Sequence, residues 1–255
     1  MVVEAFVDHF ANLELRPDFA DASPLSIKGR AISDSCDLPD SIDFGALPIG
    51  LSSDYALQIN NTSAIASTFS AGTVNDVSAD TYFLLGLGNG QLQVPAGGSS
   101  TLTLRFSPTE PRDYNGTVSM RRGASCPEKN VQLLGRGVTS CLTWVPSPTD
   151  TSGTILSYGA VPPATAKEGT ITLQNACSVV VNVSNIRTND PAFVRNTADA
   201  VTVPAATRNS DGTWASGTAV ISIDFQPTAF GSKQGLLLAA TDLEAQPNFT
   251  VGLKG

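Results

Sequence analysis

The sequence predicts an all-β protein, two tandem β-sandwiches of about seven strands each, preceded by the tail of a partial repeat. Three observations predict it. The composition, with 22 Gly and 16 Pro in 255 residues, favours short strands joined by turns over helices, for which Leu, Glu and Lys would be richer. Apolar side chains alternate with polar ones in several short stretches, the period of a half-buried strand. The chain also repeats itself: Gly135-Arg136-Gly137-Val138-Thr139-Ser140-Cys141 answers Gly29-Arg30-Ala31-Ile32-Ser33-Asp34-Ser35-Cys36 with one residue fewer, and Cys36 and Cys141 stand 105 residues apart.

Taken in order, residues 1–35 are expected to be the last strands of a preceding unit, because Leu25-Ser26-Ile27-Lys28-Gly29-Arg30 reads like Val131-Gln132-Leu133-Leu134-Gly135-Arg136. The chain therefore reads as cut from a longer array. Residues 36–138 and 139–255 are the two complete units, and their landmarks keep one order. Ile42-Asp43-Phe44-Gly45 is matched by Leu156-Ser157-Tyr158-Gly159, and Leu57-Gln58-Ile59-Asn60-Asn61 by Ile171-Thr172-Leu173-Gln174-Asn175. Val94-Pro95-Ala96 is matched by Val203-Pro204-Ala205, and Leu104-Arg105-Phe106-Ser107-Pro108-Thr109 by Ile223-Asp224-Phe225-Gln226-Pro227-Thr228.

In the strand over 100–106, Leu102, Leu104 and Phe106 face the core; over 219–225, Ala219, Ile221, Ile223 and Phe225 do. A proline then stops each ladder, having no amide hydrogen to donate. Tyr114-Asn115-Gly116 and Phe230-Gly231 are expected at the turns that follow, before the final hairpins. Gly86-Leu87-Gly88-Asn89-Gly90 resembles a phosphate cradle, but a strand follows it where that role needs a helix, so Asn89-Gly90 reads as a hairpin tip. Relative to the first unit, 205–217 is an insertion, expected as a long hairpin loop carrying Asn209, Asp211 and Trp214. Trp214 there is either a recognition residue or folds back over the sandwich edge. The boundary at 137–141 has no flexible Gly/Ser tract, so the units should hold a restricted orientation, as a bent but stiff rod.

Composition also excludes function classes. A formal net charge of -8 repels a nucleic acid and an anionic membrane surface. No run of 18 apolar residues exists, and neither a signal peptide nor a membrane span is visible. The four cysteines, Cys36, Cys126, Cys141 and Cys177, form no CxxC, and His9 is the single histidine, so no metal, cofactor or catalytic triad is expected. An even cysteine count in a Lys-poor, Ser/Thr-rich chain suits an oxidising compartment. Four cysteines permit three pairings and sequence alone does not choose. The position of Cys141 at the start of the second unit, with Cys177 after its second strand, favours Cys141 with Cys177, leaving Cys36 for Cys126. Trp144 is expected to pack against that disulfide. Asp37, Asp40 and Asp43 are read as solvated turn acids, and Arg121-Arg122 as a solvated strand end. Glycosylation signals begin at Asn60, Asn61, Asn115, Asn182 and Asn248.

The order Phe44-Gly45, Asn60-Asn61, Pro95-Ala96-Gly97, Phe106-Ser107-Pro108-Thr109, Leu134-Gly135-Arg136-Gly137 resembles the choice-of-anchor D repeats of bacterial surface proteins, relatives of the ASPM/SPD-2/Hydin and major sperm protein domains. The second unit departs from it, with Tyr158 for the phenylalanine and no glycine directly after Pro204-Ala205. The resemblance implies immunoglobulin-like sandwiches and a non-enzymatic repeat segment of a bacterial surface or secreted protein. Its partners would be a protein or cell surface and the flanking repeats of the same chain. Two other readings stand beside it: a cytoplasmic ciliary or centrosomal docking module with reduced cysteines, and a carbohydrate-binding accessory module.

Overall fold

The computed structural model describes residues 8–13, 25–30, 36–76, 81–123, 126–147 and 154–255. Every regular element among them is a β-strand. Strands β1 (Asp8–Leu13) and β2 (Leu25–Arg30) form an antiparallel pair, with His9 opposite Gly29. The rest of the expected partial repeat lies outside the described residues.

The first sandwich is built from β3 (Ser41–Pro48), β4 (Ser53–Asn60), β5 (Ser67–Asp76), β6 (Tyr82–Leu85), β7 (Gln91–Val94), β8 (Ser99–Phe106), β9 (Asp113–Arg122) and β10 (Lys129–Val138). Its two sheets run β3-β10-β9-β5-β7 and β4-β8-β6. The second comprises β11 (Leu142–Ser147), β12 (Ile155–Ser157), β13 (Lys167–Asn175), β14 (Val181–Thr188), β15 (Phe193–Arg195), β16 (Val201–Val203), the small hairpin β17 (Thr207–Arg208) and β18 (Trp214–Ala215), β19 (Gly217–Phe225), β20 (Gln234–Thr241) and β21 (Asn248–Lys254). Its sheets run β12-β21-β20-β14-β16 and β11-β13-β19-β15. In both sandwiches an early strand pairs in parallel with the last one, β3 with β10 and β12 with β21, while the other pairings are antiparallel. This is immunoglobulin-like topology. Strand β11 has no counterpart among the described strands of the first sandwich, which accounts for the longer stretch from Cys141 to Tyr158 than from Cys36 to Phe44.

Period-two burial shapes each core. Leu102, Leu104 and Phe106 of β8 are buried, as are Ile221, Ile223 and Phe225 of β19, while Ala219 is partly buried. Each fully buried side chain of this size contributes roughly 1.5–3 kcal/mol. At the centre of each sandwich three rings repeat one geometry. Tyr82 stacks on Phe106 with centroids 5.0 Å apart and Phe44 tilts against Phe106 at 5.6 Å. In the second sandwich Phe193 stacks on Phe225 at 5.0 Å and Tyr158 tilts against Phe225 at 5.5 Å. Glycine is required beneath the phenylalanine shared by both contacts in each sandwich: a Cβ on Gly135 would lie 2.6 Å from the Phe106 ring, and one on Gly255 2.4 Å from Phe225.

A buried asparagine closes a matching strand in each sandwich, Asn61 directly after β4 and Asn175 at the end of β13. Asn61 Nδ2 donates to the carbonyls of Ile65, Val94 and Pro95, and its Oδ1 accepts the Ser63 amide. Asn175 Nδ2 donates to Val179 and Pro204, and its Oδ1 accepts the Cys177 amide. Burial of Asn61 also removes it from the set of reachable glycosylation sites.

Two turn expectations diverge. Asn89 and Gly90 both have positive φ, 51° and 73°, inside reciprocal backbone bonds between Gly88 and Gln91, the tight turn expected, but β6 and β7 on either side of it pair into different sheets, so it carries the chain from one sheet to the other and closes no hairpin. Tyr114, Asn115 and Gly116, however, lie inside β9, and the bend falls at Glu110 to Arg112. The Tyr114 hydroxyl accepts the Thr109 and Glu110 amides and its ring packs edge-on to Phe106, so the side chain must point inward from a strand. Phe230 does sit in its turn, 91% exposed.

Candidate functional site

At the junction of the two sandwiches buried apolar surface, an exposed apolar rim and the inserted hairpin converge. From β3, Ala46 donates its amide to Ser178 Oγ at 2.7 Å and accepts the Ser178 amide on its carbonyl at 3.1 Å. The edge of the first sandwich is thus capped by the 175–178 turn of the second, leaving neither group of the residue unpaired. Gly45 allows the approach: its φ is +76°, and a Cβ there would lie 2.6 Å from Ser178 Oγ.

Around this contact Ala46, Val138, Cys141 and Cys177 form a small buried cluster, against which Ala176, Trp214 and Leu243 pack. Cys141 is bonded to Cys177, and Cys36 to Cys126. The first disulfide staples the linker to the 175–178 turn. The second ties the start of the first sandwich to the connection between β9 and β10 across 90 residues.

The hairpin β17-β18 reaches across the same junction. Arg208 lies 3.6 Å from Asp43 of β3, and the Arg136 guanidinium stands 6.0 Å from the Trp214 ring centroid. Trp214 is half-buried against the cluster. Asn209 and Asp211 are occupied by their own turn: Asn209 Nδ2 donates to Thr213 Oγ1, and Asp211 Oδ1 accepts the Thr213 amide and hydroxyl. Those bonds hold the Asp211 carboxyl below the usual carboxylate range.

Beside the cluster opens a groove of about 260 Å³, lined by Leu47, Pro48 and Leu51 of the first sandwich and Val179, Leu243 and Ala245 of the second. Leu51 and Val179 are each 49% exposed, and Ile49 and Val180, beside them in the chain, are exposed as well. Such a concentration is unusual for a surface that meets only water.

The remaining candidates fall elsewhere. Asp37 is exposed, Asp40 pairs with Lys129 at 2.8 Å, and Asp43 accepts the Gly45 amide, so the three acids do not converge. The Lys129 ammonium holds the Asp40 carboxyl low. Arg121 donates to the Cys126 carbonyl and Arg122 to that of Asn60. Trp144 lies against Phe249, centroids 5.3 Å apart, and packs on the second core as expected of a core residue, but it is not among the residues packed on the Cys141–Cys177 cluster, a correction to the expectation. Among the described residues no three His, Cys, Asp or Glu lie close enough to hold a metal ion.

One electrostatic difference escaped the sequence comparison. In the first sandwich Arg105 of β8 makes a two-pronged pair with Asp54 of β4, at 2.6 and 2.7 Å. At the equivalent place in the second, Asp224 stands opposite Glu168, two carboxylates, and Asp224 Oδ1 is buried without a hydrogen-bond partner among the described residues. Burial, with these two acids, pushes the Tyr158 hydroxyl above its ordinary pKa. The Ala46–Ser178 contact was missed as well, because backbone groups of an alanine carry no sequence signal.

No known protein-family profile matches the chain, and no curated protein does. Solved structures similar to it include a protein of unknown function from Porphyromonas gingivalis W83, 14% identical, covering 82% of this chain and 94% of that one at a TM-score of 0.35. A second is the ASH/PapD-like domain 7 of human CEP192, 15% identical over 40% of this chain and 84% of that one, TM-score 0.31. A third is the E. coli chaperone DraB, 9% identical over 85% and 93%, TM-score 0.29.

Proposed function

We propose that this chain is a non-catalytic structural and interaction module, a stiff spacer of repeated sandwiches, units 36–138 and 139–255, within a larger bacterial surface or secreted protein. The observation that carries the reading is the junction. Two hydrogen bonds between the Ala46 backbone and Ser178, one to its hydroxyl and one from its amide, a buried cluster and the cross-junction hairpin oppose independent tumbling of the two sandwiches, whereas an ordinary linker would permit it. Two disulfides and no free cysteine among the described residues support an oxidising location over the reduced cytoplasmic alternative. The apolar groove at the junction and the open sheet edges supply the contact surface for a protein partner.

Spin labels at the exposed positions Thr101 and Thr250, one on each sandwich, test the reading. A single narrow distance distribution is expected, broadening when Gly45→Val drives a side chain into Ser178. A distribution already broad in the unmodified background would overturn the spacer.

A further inference from the structure

The second sandwich carries, at its far end, an uncapped copy of the edge that the first sandwich uses to hold its neighbour. Gly159 matches Gly45 in place and in φ, +67° against +76°. Each follows a ring of the aromatic group, Phe44 within β3 and Tyr158 directly after β12, the two strands that pair in parallel with the last strand of their sandwiches. The next residue is alanine in both. Ala46 is fully buried, its amide and carbonyl both bonded to Ser178. Ala160 is exposed, and its amide and carbonyl have no partner among the described residues.

Space and chemistry at the two ends correspond as well. A Cβ on Gly45 would strike Ser178, but one on Gly159 would meet nothing within 4 Å. Leu47 and Pro48, which line the junction groove, are matched by Val161 and Pro162. Val161 borders an open hollow of about 360 Å³ shared with Pro227, Ala229 and Phe230, and Phe230 is the most exposed large apolar residue described.

The geometry points to this end as a docking socket for a further immunoglobulin-like sandwich. That sandwich would present a turn like Asn175-Ala176-Cys177-Ser178, whose serine caps Ala160 as Ser178 caps Ala46. The inference rests on the spacer reading and adds its next contact. It follows from continuity with an existing interface: the operation that carries the first sandwich onto the second, applied once more, sets a third against Gly159 to Val161. A head-to-tail contact of this kind uses different surfaces on its two sides, so each sandwich added presents the same socket again.

The test is the full chain with residues 136–255 repeated after Gly255, compared with the chain itself. Amide exchange at Ala160 should slow by on the order of tenfold or more in the extended chain, approaching that at Ala46. Spin labels across the new junction should give a distance as narrow as that across the first. Ala160→Pro, which deletes the amide at an exposed position, should broaden the new distance and leave the first unchanged. A fast Ala160 amide with a broad new distance and a narrow first one would overturn the socket and leave the spacer reading standing. A broad first distance would instead sink the spacer. Concentration-dependent self-association of the unextended chain through Ala160 would show that a second copy, and not a following sandwich, takes the socket, and would also overturn the inference.

Discussion

Replacing Asn175 by alanine should destabilise the second sandwich more than the first. The side chain is fully buried, and its removal strands the carbonyls of Val179 and Pro204 and the amide of Cys177. A buried group left without its partner costs roughly 1–3 kcal/mol; with the Cys177 amide buried and the two carbonyls part-buried and so partly re-solvated, the loss amounts to about 4 kcal/mol. That is a large share of the roughly 5–15 kcal/mol that holds a domain folded. Both tryptophans of the chain, Trp144 and Trp214, belong to the second sandwich, so tryptophan fluorescence in a urea titration reads that sandwich, with Trp214 also reporting its junction with the first. With a slope near 2 kcal/mol per molar, the midpoint should fall by about 2 M urea. Asn61→Ala removes the equivalent bonds in the first sandwich and should move the tryptophan midpoint far less. Asn175→Asp keeps the acceptor for Cys177 but loses both donations, and should fall close to the alanine variant. The reasoning fails if Asn175→Ala costs less than about 1 kcal/mol, or if Asn61→Ala shifts the tryptophan transition equally.

Other expectations follow from the same contacts. Cys141→Ser with Cys177→Ser opens a 36-residue separation, and chain entropy sets the cost at about 4 kcal/mol; the label distance across the junction should widen too, and an unchanged melting curve would contradict this. Asp224→Arg exchanges the carboxylate pair for the ion pair of the first sandwich and should raise stability by about 0.5–1 kcal/mol, a gain that a denaturant titration at low and high salt would register. Hydrogen bonds from Asn182 lower the Asp242 carboxyl, so its folded pKa lies below its unfolded one. Its stabilising contribution is therefore present above about pH 4 and is lost as pH falls through the folded value; Asp242→Asn should flatten the loss of stability between pH 5 and pH 3, and an unaltered slope would refute the linkage.

Elements whose cause is local were legible in the residues. Alternation over Leu102, Leu104 and Phe106 follows from strand geometry, in which successive side chains point to opposite faces. Asn89-Gly90 declares its turn because few residues accept positive φ twice in succession. The paired landmarks of the two units reappear as matching ring clusters and matching buried asparagines, since equal spacing along equal strands places equal side chains in the core.

What the residues by themselves determined, then, was strand period, chain repetition and the four cysteines available for pairing. Tertiary structure decided the rest. Tyr114 reads as a turn aromatic until its hydroxyl is seen to serve the amides of Thr109 and Glu110, which draws it into β9. Trp214 has no fixed meaning until Arg136 and the Ala46 cluster, far away in the chain, come against it. The junction itself turns on the backbone of Ala46 meeting Ser178 across 132 residues. Backbone amides and carbonyls are the same at every residue, so which of them lacks a partner depends on which strand lies at an edge, and that is a property of the assembled sheets.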